Sequence, residues 1–247
     1  EVTGLYREAI LTVNGAGRPI LSLDIPSGIH GDTGTVLGVA VRADWTVTFG
    51  LPKAGNLLYP GYEFGGRLYV SSISFPPALC DRDDLTLAVN SGPSLPPRDP
   101  MAHKGSMGNG LFIAGARGYY GAPYLAAMAF LRAGGGYARL AAPGSIVGFL
   151  AQRGVEIVYA PQPETQEGSL SLAGKAALLD LAATCDVAVI GPGLSLAEET
   201  RTLVRELVRE IPVPLLVDGD GLSAVAGDPA SLKGRTAPTV LTPHPGE

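Results

Sequence analysis

Leu111-Phe-Ile-Ala-Gly-Ala-Arg-Gly118-Tyr-Tyr-Gly-Ala122 is the stretch on which the fold turns. Leu111 to Ala114 is a continuous apolar run of strand length. Such runs mark parallel strands buried on both faces. Glycines then punctuate the chain as far as Gly121. An alanine-rich helix is expected from Ala122 to Ala133, and a second strand from Tyr137 to Ala141. Outward from this strand-helix-strand unit the alternation continues. A short helix leads to a strand at Val155 to Tyr159, then a helix at Ala173 to Thr184 and a strand at Val187 to Ile190. Ser195 to Glu210 is the clearest helix, because Leu203, Val204, Leu207, Val208 and Ile211 form one stripe at 3.6 spacing. Ser195 with Glu198 fits a capping box at its start. Val213 to Val217 and Thr239 to Leu241 complete the strands. Alternation of this kind implies an α/β fold with a parallel three-layer sheet and right-handed crossovers.

Residues 1–79 read as short apolar runs between turns: Pro19 to Leu23, Trp45 to Phe49 and Arg67 to Ile73. They are expected to be parallel strands covered on both faces. Between 80 and 102 the character changes. Asp81, Arg82, Asp83 and Asp84 form a charged knot, and Pro93, Pro96, Pro97 and Pro100 follow. Prolines forbid a helix and stiffen a chain, so 80–102 is expected to be a linker between units at 1–79 and 103–247.

Composition narrows the function. A net charge of -5 argues against a nucleic-acid surface, which needs clustered positive charge. With 46% hydrophobic and 17% charged residues the chain can build a core and lacks the signature of disorder. The 34 glycines and 21 prolines imply many tight turns and close backbone approaches. Only Cys80 and Cys185 could form a disulfide, and no CxxC spacing occurs, so a reducing cytoplasm is expected. No apolar run approaches the ~18 residues of a membrane span. The chain starts without Met and stops in a Pro/Gly-rich turn, and both ends read as cut from something longer.

Open α/β sheets bind ligands beyond the carboxyl ends of their strands. Five strand ends here carry glycines, prolines or acids: Asp24-Ile-Pro-Ser-Gly28, Gly115 to Gly121, Gly191-Pro-Gly193, Asp218-Gly-Asp-Gly221 and Thr242-Pro-His-Pro-Gly-Glu247. Each has a bland alternative. Gly115 to Gly121 is either a flexible loop or a phosphate cradle at a helix N-terminus. Gly191 and Gly193 are either a tight turn or a close approach to a ligand. Asp218 and Asp220 either cap the next helix or serve a ligand hydroxyl or a magnesium ion. His244 is either a plain loop residue or, beside Glu247, a ligand contact. Asp24, a carboxylate at a strand end, needs a partner or a task.

These same stretches resemble a known family. His103-Lys-Gly105, Gly115 to Gly121, Leu131-Arg-Ala-Gly-Gly-Gly136, Ile190-Gly-Pro-Gly-Leu194, Val217-Asp-Gly-Asp-Gly-Leu222 and Leu241-Thr-Pro-His-Pro-Gly-Glu247 resemble the ADP- or ATP-dependent NAD(P)H-hydrate dehydratases, which are ribokinase-like. Leu23-Asp-Ile-Pro-Ser-Gly28, Asp32-Thr-Gly34, Ala43-Asp44, Thr46-Val-Thr-Phe49 and Pro52-Lys53 resemble the end of the Rossmann-like NAD(P)H-hydrate epimerase domain. In this order the two are similar to bifunctional nicotinamide nucleotide repair enzymes. The resemblance implies that Asp24 binds substrate and acts as acid or base, and that Ser27 is a potassium ligand. It implies that Ala122, Gly191, Gly193, Asp220 and His244 contact the hydrated dinucleotide, with Asp218 beside Asp220. It further implies potassium and magnesium as cofactors, ADP or ATP as co-substrate, NAD(P)H hydrate as substrate, a homo-oligomer, and no nucleic-acid or membrane partner. The family's Asn-Asn-Gly-Gly-Asp-type loop and its Gly-Thr-Gly-Asp-type nucleotide turn do not occur in these residues, so both sites are expected to be incomplete within them. A ribokinase-like kinase of a sugar or vitamin, or a non-catalytic nucleotide-binding remnant, stays open at this point.

Overall fold

The computed structural model describes residues 1–90, 92–95 and 97–244. The chain divides into two compact units, Glu1–Leu95 and Pro96–Glu247, and each is described by itself. The division falls inside the stretch 80–102; Pro96 of that stretch lies outside the described residues. Among the described residues no helix is long and apolar enough to cross a membrane.

The second unit is a six-stranded, wholly parallel sheet. Its strands are β4 (Asn109–Ile113), β5 (Tyr137–Pro143), β6 (Val158–Gln162), β7 (Val187–Ile190), β8 (Leu215–Val217) and β9 (Thr239–Leu241), in the order β6-β5-β4-β7-β8-β9. The helices are α5 (Gly121–Arg132), α6 (Gly144–Ala151), α7 (Lys175–Ala183), α8 (Glu198–Glu210) and α9 (Asp220–Ala226). Strand side chains alternate between faces, and two cores result. Leu111 and Ile113 of β4 join Ala188 and Ile190 of β7 and Leu215 and Val217 of β8 beneath α7, α8 and α9. Phe112 and Ala114 point the other way, toward Ala127 of α5 and Ile146 and Leu150 of α6.

Helix α8 buries the expected stripe, with Leu203, Val204, Leu207 and Val208 inside. Glu198 and Glu199 in its first turn and Arg209 in its last suit the helix dipole. The expected capping box is absent. The helix starts at Glu198 behind Ala197, which offers no side-chain cap. Ser195 stands two residues earlier at φ 72°, and its N–H is taken by Asp220 Oδ2 at 2.8 Å. The strand expected at Val155 to Tyr159 is also displaced. Gly154 N–H closes α6 onto Leu150 O, and Ile157 N–H turns back to Gly154 O. That turn consumes the first residues of the apolar run, leaves Val155 81% exposed, and lets pairing with β5 begin only at Val158. Pro161 is tolerated in β6 because this strand lies at the sheet edge.

The first unit holds a three-stranded parallel sheet, β1 (Leu21–Leu23), β2 (Trp45–Phe49) and β3 (Arg67–Ser71), in that order. Around it lie α1 (Gly4–Asn14), α2 (Ala54–Leu57), α3 (Gly61–Gly65) and α4 (Pro77–Cys80). Its strands are not covered on both faces. Ser22, Thr46 and Thr48 share the buried face, while Leu21 and Leu23 on the other are 58% and 64% exposed. Two of the buried hydroxyls reach partners distant in sequence: Thr46 Oγ1 donates to Gly65 O at 2.7 Å and Thr48 Oγ1 to Asp24 Oδ1 at 3.3 Å. The turns after β2 therefore pack on the hydroxyl face, the reverse of what an apolar run suggests. Helix α1 has no counterpart among the elements expected from sequence. Its signal was present in Tyr6, Ile10 and Val13, which recur at helical spacing and line one side of a cavity.

Arg235 ties the end of α8 to β9. Its guanidinium donates to Val208 O (2.6 Å), Ile211 O (2.9 Å) and Val213 O (2.9 Å), and its Nε donates to Thr239 Oγ1 (2.7 Å). Burial lowers its pKa from the ordinary value, and carbonyls at a helix C-terminus suit a cation. Removing the fork leaves several carbonyls unpaired, at a cost of about 1–3 kcal/mol. Arg235→Ala is expected to lower the thermal midpoint by several degrees in a circular-dichroism melt. Arg235→Lys should recover only part of the loss, since one ammonium cannot span the same four acceptors.

Candidate functional site

Because every strand of the second unit runs the same way, all their carboxyl ends fall on one edge of the sheet. Backbone bonds stitch that edge beyond the strands themselves. Gly191 N–H donates to Ile113 O (3.2 Å), Gly115 N–H to Pro192 O (3.0 Å), Asp218 N–H to Ile190 O (3.0 Å) and Thr242 N–H to Val217 O (3.2 Å). The loops that follow β4, β7, β8 and β9 are thus fixed to one another. His103-Lys-Gly105 lies instead before β4, on the opposite edge, where Lys104 Nζ sits 5.0 Å from the Tyr137 ring centre and the His103 imidazole accepts from Gly105 N–H.

Two glycines shape the edge. Gly191 has φ 125°, and a Cβ there would stand 1.7 Å from Asp218 O. Only glycine lets β7 end so close to β8. Gly193 has φ 62°, and a Cβ there would meet Tyr119 Cβ at 3.1 Å and Ala122 Cβ at 3.4 Å. The Gly191-Pro-Gly193 turn therefore lies against the start of α5. That start has no side-chain cap and no acid in its first turn. The neighbouring α6 differs, because Glu164 accepts from Ser145 N–H (3.2 Å) and Oγ (2.7 Å) and so already occupies its first turn.

Asp218 Oδ1 accepts from Thr242 Oγ1 at 2.8 Å, and Asp220 Oδ2 accepts from Ser195 N–H at 2.8 Å. Each carboxylate thus gives one oxygen to a neighbouring loop. Magnesium keeps several waters and needs only one or two carboxylates beside substrate phosphates, a donor set that these two aspartates fit. His244 follows β9 on the same edge and is exposed. Its expected neighbour Glu247, with Pro245 and Gly246, lies outside the described residues.

In the first unit Asp24 ends β1 at φ 68°, a conformation that L residues other than Asn and Asp seldom adopt. Its carboxylate is held by the Lys53 ammonium, by Phe49 N–H (3.1 Å) and by Thr48 Oγ1 (3.3 Å). Asn56 Nδ2 donates to its carbonyl (3.2 Å), while Asn56 Oδ1 accepts from Lys53 N–H (3.1 Å). Burial pushes the Asp24 carboxyl up, but Lys53, Phe49 and Thr48 together outweigh it and hold the group below the usual carboxylate range. Lys53 lines a cavity of about 970 Å³ with Phe49, Leu57 and Phe75.

Ser27 lies elsewhere. It lines a cavity of about 290 Å³ with Val2, Tyr6, Ile10, Val13 and Val41, and its carbonyl accepts from Val41 N–H at 2.9 Å. Apart from Ser27 and Tyr6, the side chains there are hydrocarbon. This is a poor donor set for a potassium ion, which takes six or more oxygens.

The structure thus brings Ala122 directly against Gly193, joins Gly191 to Asp218, and puts Asp220 on the same edge with His244 beyond it. It sets Asp24 and Ser27 among different neighbours. Five participants are not among the site residues expected from sequence: Thr48, Lys53, Asn56, Ser195 and Thr242. Asn56 had a readable signal, three residues after Lys53 at the start of a short helix. Ser195 was assigned to the wrong partner.

Comparison with known proteins joins these observations. A family model described as NAD(P)H-hydrate dehydratase matches residues 111–247, and one described as YjeF-related protein N-terminus matches residues 1–55. A bifunctional NAD(P)H-hydrate repair enzyme Nnr from Thermofilum pendens is 54% identical over 244 residues, covering 99% of this chain and 47% of that protein. The enzyme of the same name from Moorella thermoacetica is 42% identical over 248 residues, covering 99% and 47%. The crystal structure of an ADP/ATP-dependent NAD(P)H-hydrate dehydratase from Bacillus subtilis, co-crystallized with ATP/Mg2+, is 26% identical with a TM-score of 0.47, covering 62% of this chain and 50% of that one. The chain spans about half the length of the curated relatives it matches. The dehydratase model covers more than half of these residues, including every loop of the strand-end edge, and the chain belongs to the NAD(P)H-hydrate dehydratase family.

Proposed function

We propose that the chain carries parts of two catalytic units for nicotinamide nucleotide repair: an epimerase of NAD(P)H hydrate in residues 1–79 and a nucleotide-dependent dehydratase of it in residues 103–247, joined through 80–102. The observation that carries the dehydratase reading is the contact of the Gly191-Pro-Gly193 turn with Ala122 at the uncapped start of α5, beside Asp218 and Asp220. A hydrated nicotinamide ring bears a hydroxyl that is a poor leaving group. Phosphorylation of that hydroxyl by ADP or ATP makes phosphate the leaving group, and elimination restores the dihydronicotinamide. Transfer of this kind needs positioning and charge stabilisation more than side-chain chemistry.

The chain's residues supply those terms. The bare Gly191–Gly193 backbone allows the ring to approach closely. The first N–H groups of α5 favour negative charge at the edge. Asp220, oriented by Ser195 N–H, is placed to accept from a substrate hydroxyl, and His244 positions the dinucleotide. Magnesium held by Asp218 and Asp220 would neutralise phosphate charge. In the first unit Asp24, at its strained strand end, handles the proton as the two epimers interconvert.

The full-length protein that contains these residues, incubated with NAD(P)H hydrate and ADP or ATP, should restore the dihydronicotinamide absorbance band, and it should do so only with nucleotide. No recovery with either nucleotide would sink the dehydratase reading. Gly193→Val should weaken hydrate binding by about tenfold or more, roughly 1.4 kcal/mol, because the new side chain enters the space against Tyr119 and Ala122. His244→Ala should raise KM more than it lowers kcat, as expected when a positioning contact is shared by ground and transition states. A large loss of kcat at unchanged KM would instead assign chemistry to His244.

A further inference from the structure

The Asp24 network contains more than the acid itself. Asp24 is gripped at both ends by one short stretch after β2. Lys53 holds the carboxylate and Asn56, which is buried, holds the carbonyl. Lys53 is itself fixed: its ammonium also donates to Phe49 O (2.9 Å) and lies 3.4 Å from Thr48 Oγ1, and its backbone N–H is held by Asn56 Oδ1. A flexible side chain with ordinary surface duties would not be restrained at so many points. An ion pair at the surface contributes little stability, so stability is a weak reason for this arrangement. Lys53 also lines the cavity of about 970 Å³ in this unit, and the Asp24 side chain beside it is 40% exposed, so a ligand can reach the pair.

We infer that Lys53 is a positioning residue for Asp24, holding its carboxylate ionised and in one orientation so that it works as a proton acceptor beside the cavity that Lys53 lines. The inference rests on the epimerase reading of the first unit. Lys53 is the charged group that acts on Asp24 from the packed elements; the other groups facing it, Phe49 N–H, the Thr48 hydroxyl and the Asn56 amide, are neutral. The balance that favours the carboxylate therefore hinges on this lysine. Without it, burial of Asp24 acts against two neutral hydrogen bonds alone, and protonation sets in at higher pH.

The test compares the parent protein with Lys53→Met and Lys53→Arg by two readouts. The first is the pH profile of epimer interconversion, followed with NAD(P)H hydrate resolved into its epimers. The second is the carboxyl ¹³C titration of Asp24 by NMR, assigned with Asp24→Asn, which needs no turnover. In Lys53→Met the acid limb and the Asp24 titration should both move to higher pH, with a loss of about tenfold or more in kcat/KM on the acid side. Lys53→Arg, which keeps the charge, should stay near the parent in both. An Asp24 titration that is the same in Lys53→Met and the parent overturns the inference, as does a fall in activity with an unmoved limb. Should Lys53→Met not fold, the parent alone decides: an Asp24 carboxyl titrating at or above the ordinary aspartate value overturns it. A parent that interconverts no epimers yet shows the shifted titration on substitution overturns the epimerase reading and the role built on it, while leaving the Asp24–Lys53 coupling measured.

Discussion

Asp218 O occupies the place where any side chain at position 191 would begin, 1.7 Å from an ideal Cβ. Most of the second unit's functional edge follows from that approach. With glycine at 191, β7 and β8 run on together past their last paired residues, and Asp218 N–H reaches Ile190 O. The chain can then turn at Gly191-Pro-Gly193 and lie against Ala122, which brings the loops after β4 and β7 into register. The same approach fixes where Asp218 leaves its strand, and Asp220 then captures Ser195 N–H. A larger residue at 191 would part the two strand ends and loosen the turn, both aspartates and the start of α5 together.

Much of the second unit was legible because its strands are buried on both faces. Leu111 to Ala114 and Val187 to Ile190 show no alternation, and only a strand flanked by helices on either side tolerates that. The first unit shows where the rule fails. Leu21 and Leu23 look like core residues, yet the face that packs carries Ser22, Thr46 and Thr48. Sequence does not reveal that Thr46 finds Gly65 O nineteen residues later, a bond that lets its hydroxyl be buried. Ser195 is a similar case. It has the spacing of a helix cap, but a carboxylate twenty-five residues away competes for its N–H and wins. Local patterns predict local partners, and functional loops are where distant partners prevail.

The candidate sites were legible to different degrees for the same reason. A strand end is a position along the chain, so Gly191, Gly193, Asp218 and Asp220 could be placed on one edge from topology alone. What each side chain then does depends on neighbours from other loops, and Thr242 and Ser195 came to light only through the hydrogen bonds they make to Asp218 and Asp220. Ser27 stands three residues from Asp24 and lines a cavity together with apolar side chains of α1.

The two units also differ in how they manage charge. At the edge of the second unit, backbone groups dominate: glycine turns, the start of α5, and carboxylates fixed by one N–H and one hydroxyl. Dipoles held by the fold need not reorganise when charge develops, which suits a reaction in which phosphate must be steadied and then released. In the first unit an ion pair does the corresponding task, and the opposing costs are visible. Burial raises the Asp24 carboxyl while Lys53, Phe49 and Thr48 lower it. Such a balance makes ionisation responsive to a single side chain. Here the lowering influences prevail, so the carboxylate stays ionised and free to receive a proton, the part proposed for it in epimer interconversion, and that state depends on one ammonium rather than on backbone alone.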